Sequence, residues 1–201
     1  MRTLVLLRHG RTAWNHALRV QGQLDVELDD VGREQATAAA EVLAKLGPTL
    51  LWSSDLVRAR STAAALAEAT GLSPTYDARL REFHLGERQG LTHDEYSELD
   101  PVEFDQFRRG HYDSAPGAEP TADVRRRMTE ALGELLAALA PGETAVAVSH
   151  GAAIRVATGA MLGWPDEQFH TLRGLTNCGW VVLEEHPEVG GLRLGAYNRT
   201  G

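Results

Sequence analysis

Apolar residues fall into two rhythms along this chain: short unbroken runs and helically spaced faces. Thr3-Leu4-Val5-Leu6-Leu7, Thr49-Leu50-Leu51-Trp52 and Thr144-Ala145-Val146-Ala147-Val148-Ser149 are runs of the first kind. Runs this short, bounded by polar or turn residues, predict strands buried on both faces of a parallel sheet. Ala36, Ala39, Ala40, Leu43 and Leu46 recur at the spacing of one helix face. That helix is expected to run from Asp29-Asp30 to about Leu46, where Gly47-Pro48 stops it. Ser53-Ser54-Asp55 predicts the N-cap of a second helix reaching Thr70, and a short strand is expected at 74–77. Thr121-Ala122-Asp123 opens a long helix to about Leu139, and another runs from about Ala152 to Leu162. Two strands are expected near 178–184 and 192–197. The alternation predicts an α/β fold, a three-layer α/β/α sandwich around a mostly parallel sheet.

Two stretches break the pattern. Residues 12–29 read as loop with one helical turn. Residues 78–120 are rich in polar residues, Gly and Pro, with short helical candidates near 92–99 and 101–109. Long inserts in compact domains are functional or disordered, and this one is read as a wall or lid over a pocket. With 201 residues there is enough chain for one good core, so 1–201 is expected to be a single domain.

Composition narrows the classes of function. The net charge of −8 argues against nucleic acid and against an anionic membrane surface as partners. No apolar run approaches the ~20 residues that span a bilayer, and no cleavable leader is visible, so the chain is expected to be cytoplasmic. Cys178 is the single cysteine, which excludes an internal disulfide and a thiol-rich metal site. Lys45 is the one lysine among 20 basic residues. A GC-rich genome accounts for that bias, so each arginine must be judged by its position. An edge strand or the apolar tail offers a surface on which a homodimer could form.

The candidate chemistry sits where runs end. The first stops at Arg8-His9-Gly10-Arg11-Thr12, and the third at His150-Gly151. In open α/β sheets ligands bind beyond the carboxyl ends of the strands. Two histidines there, with Arg8 and Arg58 nearby, point to a cationic pocket for an anionic group. Each residue alone has a plainer reading. A lone strand-end histidine is commonly structural, Arg58 could be an exposed helix arginine, and Glu82 could pair with its neighbours Arg79 and Arg81. Arg108, Arg109 and His111 fit a solvated helix end better than a carboxylate subsite. His9, His150 and Glu82 could in principle hold zinc, but two arginines facing the same cavity would repel a cation, so no metal and no cofactor are expected.

In combination these motifs resemble the histidine phosphatase superfamily, the phosphoglycerate mutase-like group. The resemblance rests on Leu7-Arg8-His9-Gly10-Arg11-Thr12 with Asn15, on Ser54-Asp55-Leu56-Val57-Arg58-Ala59-Arg60, on Leu80-Arg81-Glu82-Phe83-His84-Leu85-Gly86, and on Ser149-His150-Gly151. The order and spacing are the family's, from residue 4 to about 160. The resemblance implies that His9 is the nucleophile, attacking as a neutral imidazole whose other nitrogen donates to a backbone carbonyl. It implies that Arg8, Arg58 and His150 bind and stabilise the phosphoryl group, and that Glu82 is the general acid. Asn15, Gln21, Gly22, His84 and Gly151 match positions implied to contact the phosphoryl group or substrate.

Within the family, Val20-Gln21-Gly22-Gln23-Leu24-Asp25 and Gln89-Gly90-Leu91-Thr92-His93 resemble the glucosyl-3-phosphoglycerate phosphatases of high-GC bacteria. The likeness is good over about the first 95 residues and loose beyond. Many family phosphatases carry Asp-Trp-Glu between the glycines after the glutamate, where this chain has Glu87-Arg88-Gln89. The implied activity is metal-independent hydrolysis of a small sugar or glycerate phosphate ester through phosphohistidine. The alternatives are a mutase, which returns the phosphoryl group to substrate, and a catalytically silent binding or scaffold member.

Overall fold

The computed structural model describes residues 1–188 and 190–201. β1 (Thr3–Arg8) and β4 (Thr144–Ser149) are the central strands of a six-stranded sheet, parallel, with Arg8 opposite Ser149. β2 (Leu50–Ser53) pairs with β4 and carries β3 (Thr75–Tyr76) at the edge, again parallel. On the other side β5 (Trp180–Glu185) runs antiparallel to β1, and β6 (Leu192–Arg199) antiparallel to β5. The order is β3-β2-β4-β1-β5-β6. The expected mostly parallel sheet is therefore present, with antiparallel pairing confined to the C-terminal strands.

The period of two along the central strands makes the layers. Leu4 and Leu6 of β1, with Ala145 and Ala147 of β4, face α6 (Thr121–Ala138) and α7 (Gly151–Met161). Met128, Leu132 and Leu135 of α6 and Ile154 of α7 close that side. Val5, Leu7, Val146 and Val148 face the opposite layer, α2 (Asp30–Ala44) and α3 (Val57–Thr70). Small residues such as Ala39, Ala40, Ala59 and Ala63 let those two helices lie close together. Each large apolar side chain so buried contributes roughly 1.5–3 kcal/mol.

Two helix starts differ from expectation. α3 begins at Val57, and none of Ser53, Ser54 or Asp55 caps it. Its first N–H donates instead to Asp25 Oδ1 at 2.7 Å, a carboxylate from the 12–29 loop. Asp55 is withdrawn by Arg81, at 2.6 Å from both its Nε and Nη2. α6 is likewise preceded by Pro120 with no side-chain cap, and the Thr121 N–H donates to Asp113 Oδ2. In both cases a partner distant along the chain replaces the local cap.

The 78–120 excursion contains two short 3-10 turns, α4 (His93–Leu99) and α5 (Pro101–Arg109). Tyr96, Phe104 and Phe107 pack ring on ring, and Glu103 takes both Arg88 Nε and the Tyr96 hydroxyl. This aromatic and ionic knot makes the excursion a wall standing beyond the strand ends. On the other side of the same opening, α1 (Ala13–His16) is a single turn closed by a Thr12–Asn15 capping box.

Two glycines seat the strand-end loop after β1 against α2. A Cβ on Gly32 would lie 1.9 Å from the Arg11 carbonyl oxygen, and one on Gly10 2.3 Å from that of Gly32. Both obstacles are backbone, so neither can swing aside. Gly32→Ala is expected to cost about 1–3 kcal/mol of stability and to lower activity as His9 is displaced. Denaturant unfolding alongside turnover checks this; an unchanged midpoint would show that the contact is not rigid.

Candidate active site

β1 and β4 end side by side, and the residue after each is a histidine. The rings of His9 and His150 lie 5.1 Å apart, centroid to centroid. Both are buried. His9 Nδ1 donates to the Gly10 carbonyl oxygen at 2.7 Å, which leaves the lone pair of the neutral ring on Nε2. Burial, more than the nearby guanidinium groups of Arg58 and Arg8, holds this imidazole well below its ordinary range. The expected charge repulsion is present, but desolvation is the larger cause. His150 Nε2 lies 2.8 Å from Ser54 Oγ, and that hydroxyl also accepts the Leu56 N–H. Burial, then Arg58, holds His150 well below its ordinary range as well.

The arginines converge from two elements. Arg8 is the last residue of β1 and passes over Gly151, where a Cβ would stand 3.4 Å from its Nε. One of its terminal nitrogens donates to the Leu175 carbonyl. Arg58, 1% exposed in the first turn of α3, donates to the carbonyls of Gly22 at 2.7 Å and Leu24 at 2.8 Å. Burial lowers its pKa to about 10 despite the opposing fields of Glu82 and Asp25. Among the described residues, four buried side-chain nitrogens have no hydrogen-bond partner: Arg8 Nε, Arg58 Nε, His150 Nδ1 and Arg155 Nε. A buried unpaired donor costs about 1–3 kcal/mol, and three of these cluster around His9. Two of the guanidinium groups, Arg8 and Arg58, line the same cavity as His9 and present positive charge to an anion there.

Glu82 approaches from the excursion. Its neighbours Arg79 and Arg81 are engaged with Asp77, Glu134 and Asp55, so the plainer ion-pair reading of Glu82 fails. The carboxylate instead accepts the N–H groups of Phe83, Ala152 and Ala153, at 3.0, 3.1 and 2.9 Å. It therefore sits on the N-terminus of α7, one residue beyond Gly151. Its backbone is gripped by Arg127 of α6, which donates to the carbonyls of Arg79, Arg81 and Glu82.

These groups border a cavity of about 230 Å³ lined by Arg8, His9, Asn15, Gln21, Gly22, Arg58, Glu82 and Gly151, among others. His150 lies immediately behind His9. Asn15 Oδ1 is taken by the Thr12 N–H and Asn177, and Gln21 Oε1 by the Thr12 hydroxyl. Their amide donors are left for a ligand. Gly22 has φ +53°, and a Cβ there would strike Gln89 Oε1 at 2.0 Å. Gln89 and the Gln23 side chain, which donates to the Glu82 carbonyl, tie the first loop to the excursion.

Besides His150, behind His9, a second expected site residue, His84, stands outside the cavity lining. The sequence reading placed it at the substrate, but it is exposed and outside the cavity lining. Its Nδ1 faces the Gly117 carbonyl and the Gly86 N–H, because the turn at Gly86 directs the ring outward. The first N–H of α3, at Val57, is taken by Asp25. Residues not singled out from the sequence complete the wall: His93, Phe107, Tyr112 and Arg155. Arg155 did leave a signal, one charge inside Ala152-Ala153-Ile154-Arg155-Val156-Ala157. Cys178 is buried, and burial pushes its thiol up to about 12, so it stays protonated.

The two buried imidazoles have a consequence for stability. They are held neutral in the fold but charge freely in the unfolded chain below its ordinary value of about 6.5. Their contribution is fully present above about pH 6.5 and is lost progressively as pH falls toward the lower folded values. The urea midpoint is expected to drop between pH 7.5 and pH 5, and less steeply in His150→Gln. A drop of the same size in that variant would rule out His150 as a source.

The histidine phosphatase superfamily (branch 1) model matches residues 4–198. A glucosyl-3-phosphoglycerate phosphatase of Mycolicibacterium vanbaalenii is 43% identical over 197 residues, covering 95% of this chain and 88% of that protein. A phosphoglycerate mutase-like protein of Arabidopsis thaliana is 41% identical over 156 residues, 76% of this chain and 67% of that protein. A solved structure of a mycobacterial glucosyl-3-phosphoglycerate phosphatase complexed with VO3 superposes with a TM-score of 0.93 at 41% identity, over 100% of both chains. With its ordered motifs, its sheet and its paired histidines, this chain belongs to the histidine phosphatase superfamily, branch 1.

Proposed function

We propose that this chain is a metal-independent phosphomonoesterase acting through a phosphohistidine, with glucosyl-3-phosphoglycerate as its substrate, and that it works in the cytoplasm. The observation that carries the reaction is the pair of guanidinium groups without a counter-ion, Arg8 and Arg58, lining one cavity with a neutral His9, with His150 beside it. His9 Nε2 attacks phosphorus, and the ester P–O bond breaks. Glu82 gives its proton to the departing alkoxide, then takes one from the water that attacks the phosphohistidine. The P–N bond breaks, and inorganic phosphate leaves. Phosphoryl transfer needs positioning and electrostatic stabilisation more than covalent help, and one such donor is typically worth about 2.7–4 kcal/mol.

Identity to glucosyl-3-phosphoglycerate phosphatases along 95% of the chain supports the substrate. The test is a panel of glucosyl-3-phosphoglycerate, 3-phosphoglycerate and phosphoserine, read by phosphate release with chelator present. Preferred release from glucosyl-3-phosphoglycerate is expected, undiminished by chelator. Isomerisation of 3-phosphoglycerate without phosphate release would favour the mutase. Loss restored only by a divalent ion would require a metal.

A further inference from the structure

Arginines that are buried or half-buried in this molecule are generally answered by a carboxylate. Arg79 meets Asp77 and Glu134, Arg88 meets Glu103, and Arg127 meets Glu119, all within 3 Å. Among the described residues three such arginines have no ion pair: Arg8, Arg58 and Arg155. Removing a cation from water without a counter-ion is costly. For Arg8 and Arg58 the missing counter-ion is the transferred phosphoryl group. Arg155 poses the same question at a separate point of the cavity.

Arg155 projects from the second turn of α7 and is 7% exposed. Nη1 donates to the Tyr112 hydroxyl at 2.6 Å, and Nη2 reaches the His170 carbonyl at 3.4 Å. Nε is buried with no partner. Both Arg155 and Tyr112 line the cavity that holds His9 and Glu82. Tyr112 is neutral, since burial raises its phenol above the ordinary range, so it orients the guanidinium without cancelling its charge. The other cation at the cavity, Arg19, already has Glu95 at 3.8 Å. Arg108 and Arg109, the remaining candidates for an acidic group, are exposed at the end of α5 and do not line the cavity.

We propose that Arg155, oriented by Tyr112, is a specificity-determining residue that receives a carboxylate on the alcohol portion of the substrate. The preferred substrates are then phosphate esters of hydroxy acids. The inference rests on the phosphatase reading above and deepens it by assigning recognition of the glycerate carboxylate to a named residue. One guanidinium whose Nε has no partner, set beside a phenol hydroxyl, suits a compact, singly charged acceptor. A second phosphate would call for a paired cation such as Arg8 with Arg58 provide.

The matched probes are 3-phosphoglycerate and glycerol 3-phosphate, which differ by carboxylate against CH2OH, with p-nitrophenyl phosphate as a substrate that lacks the group. Wild type is expected to favour 3-phosphoglycerate over glycerol 3-phosphate by at least about 30-fold in kcat/KM, because a site with a buried unpaired donor rejects the analogue that cannot fill it. Arg155→Gln is expected to bring that ratio to within about threefold of unity, mainly through KM. Glycerol 3-phosphate and p-nitrophenyl phosphate should change by less than about threefold, and Arg155→Lys should restore part of the ratio. Equal losses on all three esters would assign Arg155 to the fold or to the phosphoryl centre and overturn the proposal. So would a wild type indifferent to the carboxylate. If Arg155→Gln does not fold, Tyr112→Phe keeps the ring and removes the orienting hydroxyl; it should lower the same ratio, and an unchanged ratio would overturn the proposal. Wild-type turnover of p-nitrophenyl phosphate without carboxylate preference sinks this inference alone, whereas absence of any turnover sinks the phosphatase reading.

Discussion

His9→Ala is expected to abolish turnover while the protein remains folded. In the cavity the ring offers its Nε2 lone pair with nothing else to hold it, since its Nδ1 bond goes to the adjacent Gly10 carbonyl. Removing an activated nucleophile costs on the order of 10⁴–10⁶ in kcat in well-studied hydrolases. Folding should change by only about a kcal/mol: no distant element hangs on the ring, and its loss removes a desolvated imidazole. The decisive measurement joins kinetics to chemistry. Wild type quenched during turnover of labelled ester should carry an acid-labile, base-stable adduct on residue 9, and the variant should carry none. Near-normal turnover in a folded variant would remove His9 from the reaction.

Glu82→Gln should discriminate between leaving groups. An alkyl alcohol needs a proton as it departs, and a positioned acid is worth about 10²–10⁴. Nitrophenolate leaves unaided, so p-nitrophenyl phosphate should lose far less in the phosphorylation step. The geometry adds a second expectation. Glu82 Oε1 accepts from Phe83 and Ala153, and Oε2 from Ala152. An amide can keep the first pair but must turn its NH2 toward the Ala152 N–H, leaving one buried donor unmet at a cost of about 1–3 kcal/mol. Modest destabilisation with a large leaving-group effect is the expected pair of results. Equal losses on alkyl and nitrophenyl esters would deny Glu82 the acid role and leave it a structural one.

Much of this was legible in the residues themselves. The apolar runs fixed the central strands because a strand buried on both faces has no room for polar side chains, and the helix faces followed from 3.6-residue spacing. His9 and His150 were placed by the ends of those runs. What the chain concealed depends on partners far along it. The cap on α3 comes from Asp25, 32 positions away, and no local rule finds it. His84 sits two residues from Glu82 yet turns outward, since the fate of a loop side chain is decided by a single glycine's positive φ. Arg127 reads as an ordinary exposed helix arginine until its three carbonyl partners are brought beneath it. Arg155 could have been suspected as a charge among apolar neighbours, but only the approach of Tyr112 and the absent carboxylate give it meaning.

The pairing of Arg8 with Ser149 across β1 and β4 has a wider consequence. It places His9 and His150 just past adjoining rails of the same ladder, so their spacing is set by hydrogen-bond registry and not by the 78–120 excursion. The excursion contributes Glu82, which reaches back to the N-terminus of α7, so the acid and the paired histidines are set by separate parts of the chain. A lineage could reface the excursion without moving His9 from His150, and a chimera carrying a foreign excursion should keep that spacing and keep the reaction only if the new segment returns a glutamate to the start of α7.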